Sequence, residues 1–176
     1  IERQVALFGR APEQAAFEGD IVAQVVVCAP AGALDGTVGF LERAAKYLEL
    51  TVEELGELST RATKPQTISS VCAVLAESEI INHVSEGRSV ADIVRGAHES
   101  LADRALSQLR LVGFAGGVVF IGGVAVQEGM VEACRAKFGG TVHLPDHPAH
   151  VVAFGAAVLG LQRFEKRLTA MATAVS

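Results

Sequence analysis

Two glycines directly after a short apolar run offer the best-placed chemistry in this 176-residue chain: Val118-Val-Phe-Ile-Gly-Gly-Val-Ala-Val-Gln-Glu-Gly129. The run 118–121 reads as a buried strand, and residues from about Glu128 to Lys137 as a helix. Glycine at the C-terminal end of a strand lets backbone come within contact distance of a flat ligand. A helix N-terminus beyond it offers free N–H donors and the positive end of a dipole. Open α/β sheets bind ligands at that place. The same residues would also build a tight strand-to-helix turn with no ligand. Asp35-Gly36-Thr37, at an expected helix start, is the second candidate. A backbone N–H and a hydroxyl there can meet a phosphate, and an ordinary N-cap explains the residues as well.

Metal chemistry would fall to cysteine. Cys72 lies in the first turns of an expected helix that also carries Glu77 and Glu79. The helix dipole favours a thiolate there, which can ligate a metal. A lone buried Cys acting as a small apolar residue is the alternative. Cys28 and Cys72 lack Cys-x-x-Cys spacing, so one chain cannot close a four-thiolate site, whereas two chains giving two each can. Cys134 sits mid-helix and reads as core. Three widely spaced cysteines do not make a disulfide framework, and a cytoplasmic location is expected. Glu77 and Glu79 are two residues apart, so they face different ways and are not an acid/base pair. His143, His147 and His150 gather near a turn and read as solvated loop residues. No Gly-x-Ser-x-Gly or Walker A pattern occurs, and no catalytic residue is identified.

The elements that must position these residues follow from patterning. Residues 2–8 and 21–27 read as strands, and 28–37 as a loop because of Pro30, Gly32 and Gly36. A helix from Asp35 or Thr37 to about Leu50 puts Phe40, Leu41, Ala44, Ala45 and Leu48 on one face. Thr51 and Glu54 form a capping-box pattern at the start of the next helix. Residues 68–84 read as a helix with Ile68, Val71, Leu75 and Ile80 or Ile81 on its apolar side, and 90–112 as another. A strand at 141–144 and a helix at about 150–168 complete the chain. Gly155, Ala156, Ala157 and Gly160 would let that last helix pack closely. Strands alternate with helices in the second half, which argues an α/β fold with a short mixed sheet flanked by helices.

Composition bounds the function. Half of the residues are apolar, and 20 acidic against 15 basic residues give a net charge of −5. That is a globular composition of one-domain length. No Lys/Arg cluster is present to neutralise phosphates, so no nucleic-acid partner is expected. No run reaches the roughly 18 apolar residues a bilayer requires, so no membrane partner is expected either.

Several segments together resemble one family. Thr67-Ile-Ser-Ser-Val-Cys72-Ala-Val-Leu-Ala-Glu-Ser-Glu-Ile-Ile81 carries a Cys followed by an apolar stretch and Ala-Glu-Ser-Glu. Gly36-Thr37 is followed by Phe40-Leu41-Glu42. Val119-Phe-Ile-Gly-Gly-Val-Ala125 and Asp146 to Leu159, ending Phe154-Gly-Ala-Ala-Val-Leu159, complete the set. These resemble the activator ATPases of 2-hydroxyacyl-CoA dehydratases and the ATPase subunits of benzoyl-CoA reductase, over residues 33–162.

The resemblance implies an RNase-H-like lobe of the actin, heat-shock-chaperone and sugar-kinase ATPase fold. Residues 1–176 would be a single lobe, the C-terminal half of a two-lobe protein. It also implies ATP or ADP with Mg, and a homodimer sharing one 4Fe–4S cluster, two Cys from each chain. Gly122, Gly123 and Val124 would line the adenosine site, and Gly36 and Thr37 would approach phosphate. Cys72, with Cys28, would ligate the cluster. ATP hydrolysis would drive an electron into a CoA-ester dehydratase or reductase component. Ala33 stands where the family's first cluster Cys is expected, Val38 where the second glycine of Gly-Thr-Gly is expected. Leu7 and Pro12 replace acids of the phosphate strand. The alternative they suggest is a non-catalytic assembly module of the same fold, without ATP hydrolysis or cluster.

Overall fold

A computed structural model describes residues 31–69, 73–111 and 117–175. Its elements in chain order are α1 (Ala31–Tyr47), α2 (Val52–Thr60), α3 (Ala73–Ser85) and α4 (Val90–Leu111), then β1 (Val118–Val119), α5 (Glu128–Phe138), β2 (Val142–His143) and α6 (Val151–Val175). Short 3-10 turns at Gly123–Val126 and Pro148–His150 precede α5 and α6. The two strands pair in parallel, Val118 opposite Val142 and Val119 opposite His143. The expected mixed sheet is thus a parallel pair among the described residues. The strands expected at 2–8 and 21–27 lie outside them.

Local signals account for several boundaries. Thr51 Oγ1 accepts from Glu54 N, and Glu54 Oε2 accepts from Thr51 N at 2.7 Å, closing the expected capping box. The Thr51 backbone N–H, then its hydroxyl, hold the Glu54 carboxyl below its ordinary pKa. Gly139, at φ 64°, ends α5 in the left-handed conformation that suits a helix C-terminus. Two expected boundaries move. The segment read as a loop is helical in its described part, from Ala31. Helix α3 is described from Ala73, and Ile68 is buried in a non-helical segment ahead of it rather than in the helix. Ala76 and Ile80 form its inner face, while Leu75 and Ile81 are exposed, and Val71 lies outside the described residues.

Helix α4 is the centre of the core. Ile93, Val94, Ala97, Leu101, Ala102 and Leu109 are buried along it at helical spacing. Phe40, Leu41, Ala44 and Ala45 of α1, Leu55 of α2, and Met130, Ala133, Cys134 and Phe138 of α5 join the same cluster, with Val118 and Val142 from the strands. Leu48 packs at its edge. An ion-pair ladder runs along the α4–α5 seam: Arg95 bonds Glu99 at 3.1 Å and Glu132 at 2.8 Å, and Lys137 bonds Asp103 at 2.9 Å. Arg43 of α1 pairs with Glu77, while Glu79 Oε2 accepts from Ser69 N. The two glutamates therefore do separate work, as their spacing predicts.

One stripe of α4 holds the non-helical segment 63–69. Asp92 Oδ1 accepts from the N–H groups of Thr63 and Lys64, both at 2.8 Å, and Asp92 O accepts from Gln66 N at 3.0 Å. One turn on, Gly96 lies so close that a Cβ would stand 1.9 Å from the Gln66 carbonyl oxygen. A further turn on, Ser100 Oγ donates to Ser69 O at 2.9 Å. Helix α6 is the opposite case. Its Phe154, Leu161, Phe164 and Met171 are exposed, and a Cβ at Gly155 or Gly160 would meet nothing within 4 Å. The close packing expected of its small residues is absent among the described residues.

His98 of α4 is wholly enclosed, its Nε2 3.1 Å from Gln127 Oε1 and its Nδ1 without a partner. Burial is the main force pushing its pKa down to about 4; the Gln127 hydrogen bond opposes this and Arg95 adds to it.

Two measurements check these features. Gly96→Ala must push α4 off residue 66, and a loss of about 2–3 kcal/mol in urea unfolding is expected. Gly155→Ala, with open space around it, should leave the unfolding midpoint unchanged or slightly raised. Equal effects would remove the close-approach argument. For His98, the unfolded chain takes up a proton near 6.5 that the folded chain refuses until about 4. The stability from neutral His98 is therefore complete above pH 6.5 and lost as pH falls from there to about 4, by about 3 kcal/mol. Unfolding curves across that window should show the slope in the wild type and a shallower one in His98→Gln.

Candidate functional site

The turn between β1 and α5 is assembled by backbone hydrogen bonds on both sides. Val118 N donates to Thr141 O at 2.8 Å and Phe120 N to His143 O at 2.9 Å, which fixes the strand leading in. Gly122 follows with φ 104°, a conformation closed to residues with a side chain. Its N–H donates to Pro148 O at 2.8 Å, tying the turn to the segment entering α6. The chain then makes the 3-10 turn Gly123–Val126, with Ala125 N bonded to Gly122 O and Gln127 N to Val124 O. Gln127 is the N-cap of α5, and its carbonyl accepts from both Met130 N and Val131 N.

The two glycines have different reasons to be there. Gly122 is demanded by its backbone angles. Gly123 is not, and a Cβ built on it meets nothing within 4 Å. Ala125 is completely buried beneath the turn, Val124 packs against the core, and Gly123 and Val126 face outward. The turn is therefore supported from behind and open in front, at the C-terminal end of a parallel strand. The helix expected from about Glu128 begins at that residue, and the 3-10 turn fills the space between it and Gly122-Gly123.

The structure thus brings Gly122, Gly123 and Val124 together in one turn. Gly36 and Thr37 sit elsewhere, inside α1 rather than at a helix start, and α1 packs on α2, α3 and α4. Cys28 and Cys72 lie outside the described residues. Cys134 is buried, and desolvation pushes its thiol up to about 12, so it stays protonated and unsuited to a metal. Among the described residues no group of three or more His, Cys, Asp or Glu could hold a metal ion. His143, His147 and His150 are exposed, with the rings of His147 and His150 edge to face at 6.4 Å. No helix among the described residues is long and apolar enough to cross a membrane.

Two residues behind the turn went unread in the sequence: His98 and Gln127. Their contact spans 29 positions, and no local pattern announces it. The only signal was a His within the apolar stretch of a long helix.

The chain is similar to several known proteins. The chain is 42% identical over 123 residues to the 2-hydroxyisocaproyl-CoA dehydratase activator of Clostridioides difficile, covering 70% of this chain and 46% of that one. It is 41% identical over 138 residues to a subunit of the benzoyl-CoA reductase of Thauera aromatica, covering 74% and 49%. A solved structure of the Clostridium difficile activator, with bound ADPNP, superposes with a TM-score of 0.71 at 38% identity, over 76% of this chain and 50% of that one. The chain spans about half the length of the curated relatives it matches. The fold class expected from the sequence, an α/β lobe of the actin-like ATPase type, holds. Residues 33–160 match the model of the BadF/BadG/BcrA/BcrD ATPase family, and the chain belongs to that family.

Proposed function

We propose that this chain is the nucleotide-binding lobe of an ATP-dependent activator serving a 2-hydroxyacyl-CoA dehydratase or a benzoyl-CoA reductase. The observation that carries the reading is the turn at Gly122–Val124, rigid behind and open in front of Gly123. In a chain so similar to a dehydratase activator and to a reductase component, the ligand suited to that opening is the adenosine of ATP or ADP. Gly122, Gly123 and Val124 line it, and the family resemblance assigns Gly36 and Thr37, inside α1, to the phosphates. Half of the relatives' length is not represented here. The remaining phosphate and Mg²⁺ contacts then come from a second lobe, and hydrolysis by this chain alone is weak.

The electron carried to the CoA-ester component would come from a 4Fe–4S cluster, which supplies a low-potential electron when bound. Cys72 is the ligand within the span that matches the family, and Cys28 lies before residue 33, where the match begins. Two such pairs from a homodimer complete four thiolates. A second reading is favoured by Ala33, which stands at the expected position of the first cluster Cys. It is an assembly module of the same fold, without cluster or hydrolysis.

Two experiments test these readings. Gly123→Val adds a side chain into space that is empty in the protein, so unfolding should change little. Titration calorimetry with ADP should show affinity about tenfold weaker or worse. Equal affinity in wild type and variant would make the turn structural and remove the nucleotide site. For the cluster, anaerobic reconstitution should give a brown protein with about four irons per dimer, and Cys72→Ser should be colourless. A colourless wild type would leave the assembly module as the function.

A further inference from the structure

We propose that His98 is the positioning residue of the Gly122–Gln127 turn, holding it through Gln127 in the form that receives the nucleotide. The inference rests on the nucleotide reading above and adds a residue that does not touch the ligand. Gln127 is an uncommon N-cap, since short polar side chains serve that position best. Its side chain caps nothing in α5, and its Oε1 instead meets His98 Nε2 at 3.1 Å inside the core. Because an amide oxygen can only accept, Nε2 carries the proton and donates. His98 Nδ1 is then left buried with no partner. An aromatic ring of the same shape would avoid that orphaned nitrogen, so what the imidazole uniquely supplies is the bond to Gln127.

Gln127 is where that bond has most effect. It closes the 3-10 turn through its N–H and opens α5 through its carbonyl. Helix α2 presses on the same residue: a Cβ at Gly56 would lie 3.2 Å from Gln127 Cβ. The far end of the turn hangs from Pro148 O through Gly122 N. Fixing Gln127 therefore fixes the last free end of a segment whose outer face, at Gly123, is open.

The test uses the full chain, ADP as the probe, and three variants. The amide nitrogen of His98→Gln can stand where Nε2 stood, whereas His98→Asn reaches only the place of Nδ1, and His98→Phe donates nothing. Amide exchange at Ala125 and Gln127 should run about tenfold faster in the Asn and Phe variants, with the interior amides of α4 and α5 unchanged. ADP affinity should fall about tenfold in both and stay within about threefold of wild type in His98→Gln. Unchanged exchange at the turn, or one uniform acceleration across the chain, overturns the proposal. So does a His98→Gln variant no better than His98→Asn. If Gly123→Val binds ADP like the wild type, the nucleotide reading fails by itself, and exchange at Ala125 and Gln127 still decides whether His98 positions the turn.

Discussion

The approach of α4 to residues 63–69 is so tight at Gly96 that no methyl group fits between the helix and the Gln66 carbonyl. Asp92, Gly96 and Ser100 recur every four residues, so one stripe of the helix grips one stretch of non-helical chain through four hydrogen bonds and one bare backbone contact. That grip reaches α3, because the Ser69 N–H donates to Glu79 Oε2. It also sets how the remaining faces of α4 are used. With one stripe given to backbone, the others carry the apolar core and the ion-pair seam with α5. Buried hydrogen bonds contribute about 1 kcal/mol each net, and more when a carboxylate accepts them. Two N–H groups on Asp92 therefore outweigh any one exposed ion pair of the α4–α5 ladder.

The turn after β1 inherits its order from that core. Ala125 sits wholly buried under it, and Val118 lies in the same cluster as Leu109 and Phe138. A turn built on a loosely packed base would need a ligand to define it. This one is defined by backbone bonds to Pro148 and Gly122 and by packing from α2 and α4.

What was legible in the sequence was local or periodic. The Thr51–Glu54 box, the inner face of α1 and the Gly122-Gly123 turn all follow from residue types a few positions apart. The start of α1 was misread because Gly32 and Gly36 signal breaks, yet a helix tolerates single glycines at roughly 1 kcal/mol each. Leu75 was misplaced because a helix with apolar residues on more than one side does not say which side is covered. The 3-10 form of the turn before α5 was not read, because nothing in Gly123–Val126 marks it off from any other strand-to-helix turn. His98 and Gln127 were invisible for another reason: their partnership exists only once α4 and α5 have docked.

The contrast between the two adjacent glycines has an evolutionary side. Selection on Gly122 acts through folding, since any side chain there strains the backbone at φ 104° whatever the protein does. Selection on Gly123 has no such source, because its backbone is ordinary and the space before it is empty. With the nucleotide site proposed at this turn, a lineage that abandoned nucleotide binding would be free to accumulate side chains at the second position while the first stayed fixed. In a drifting gene copy, position 123 would thus record the history of use, and position 122 only the history of the fold.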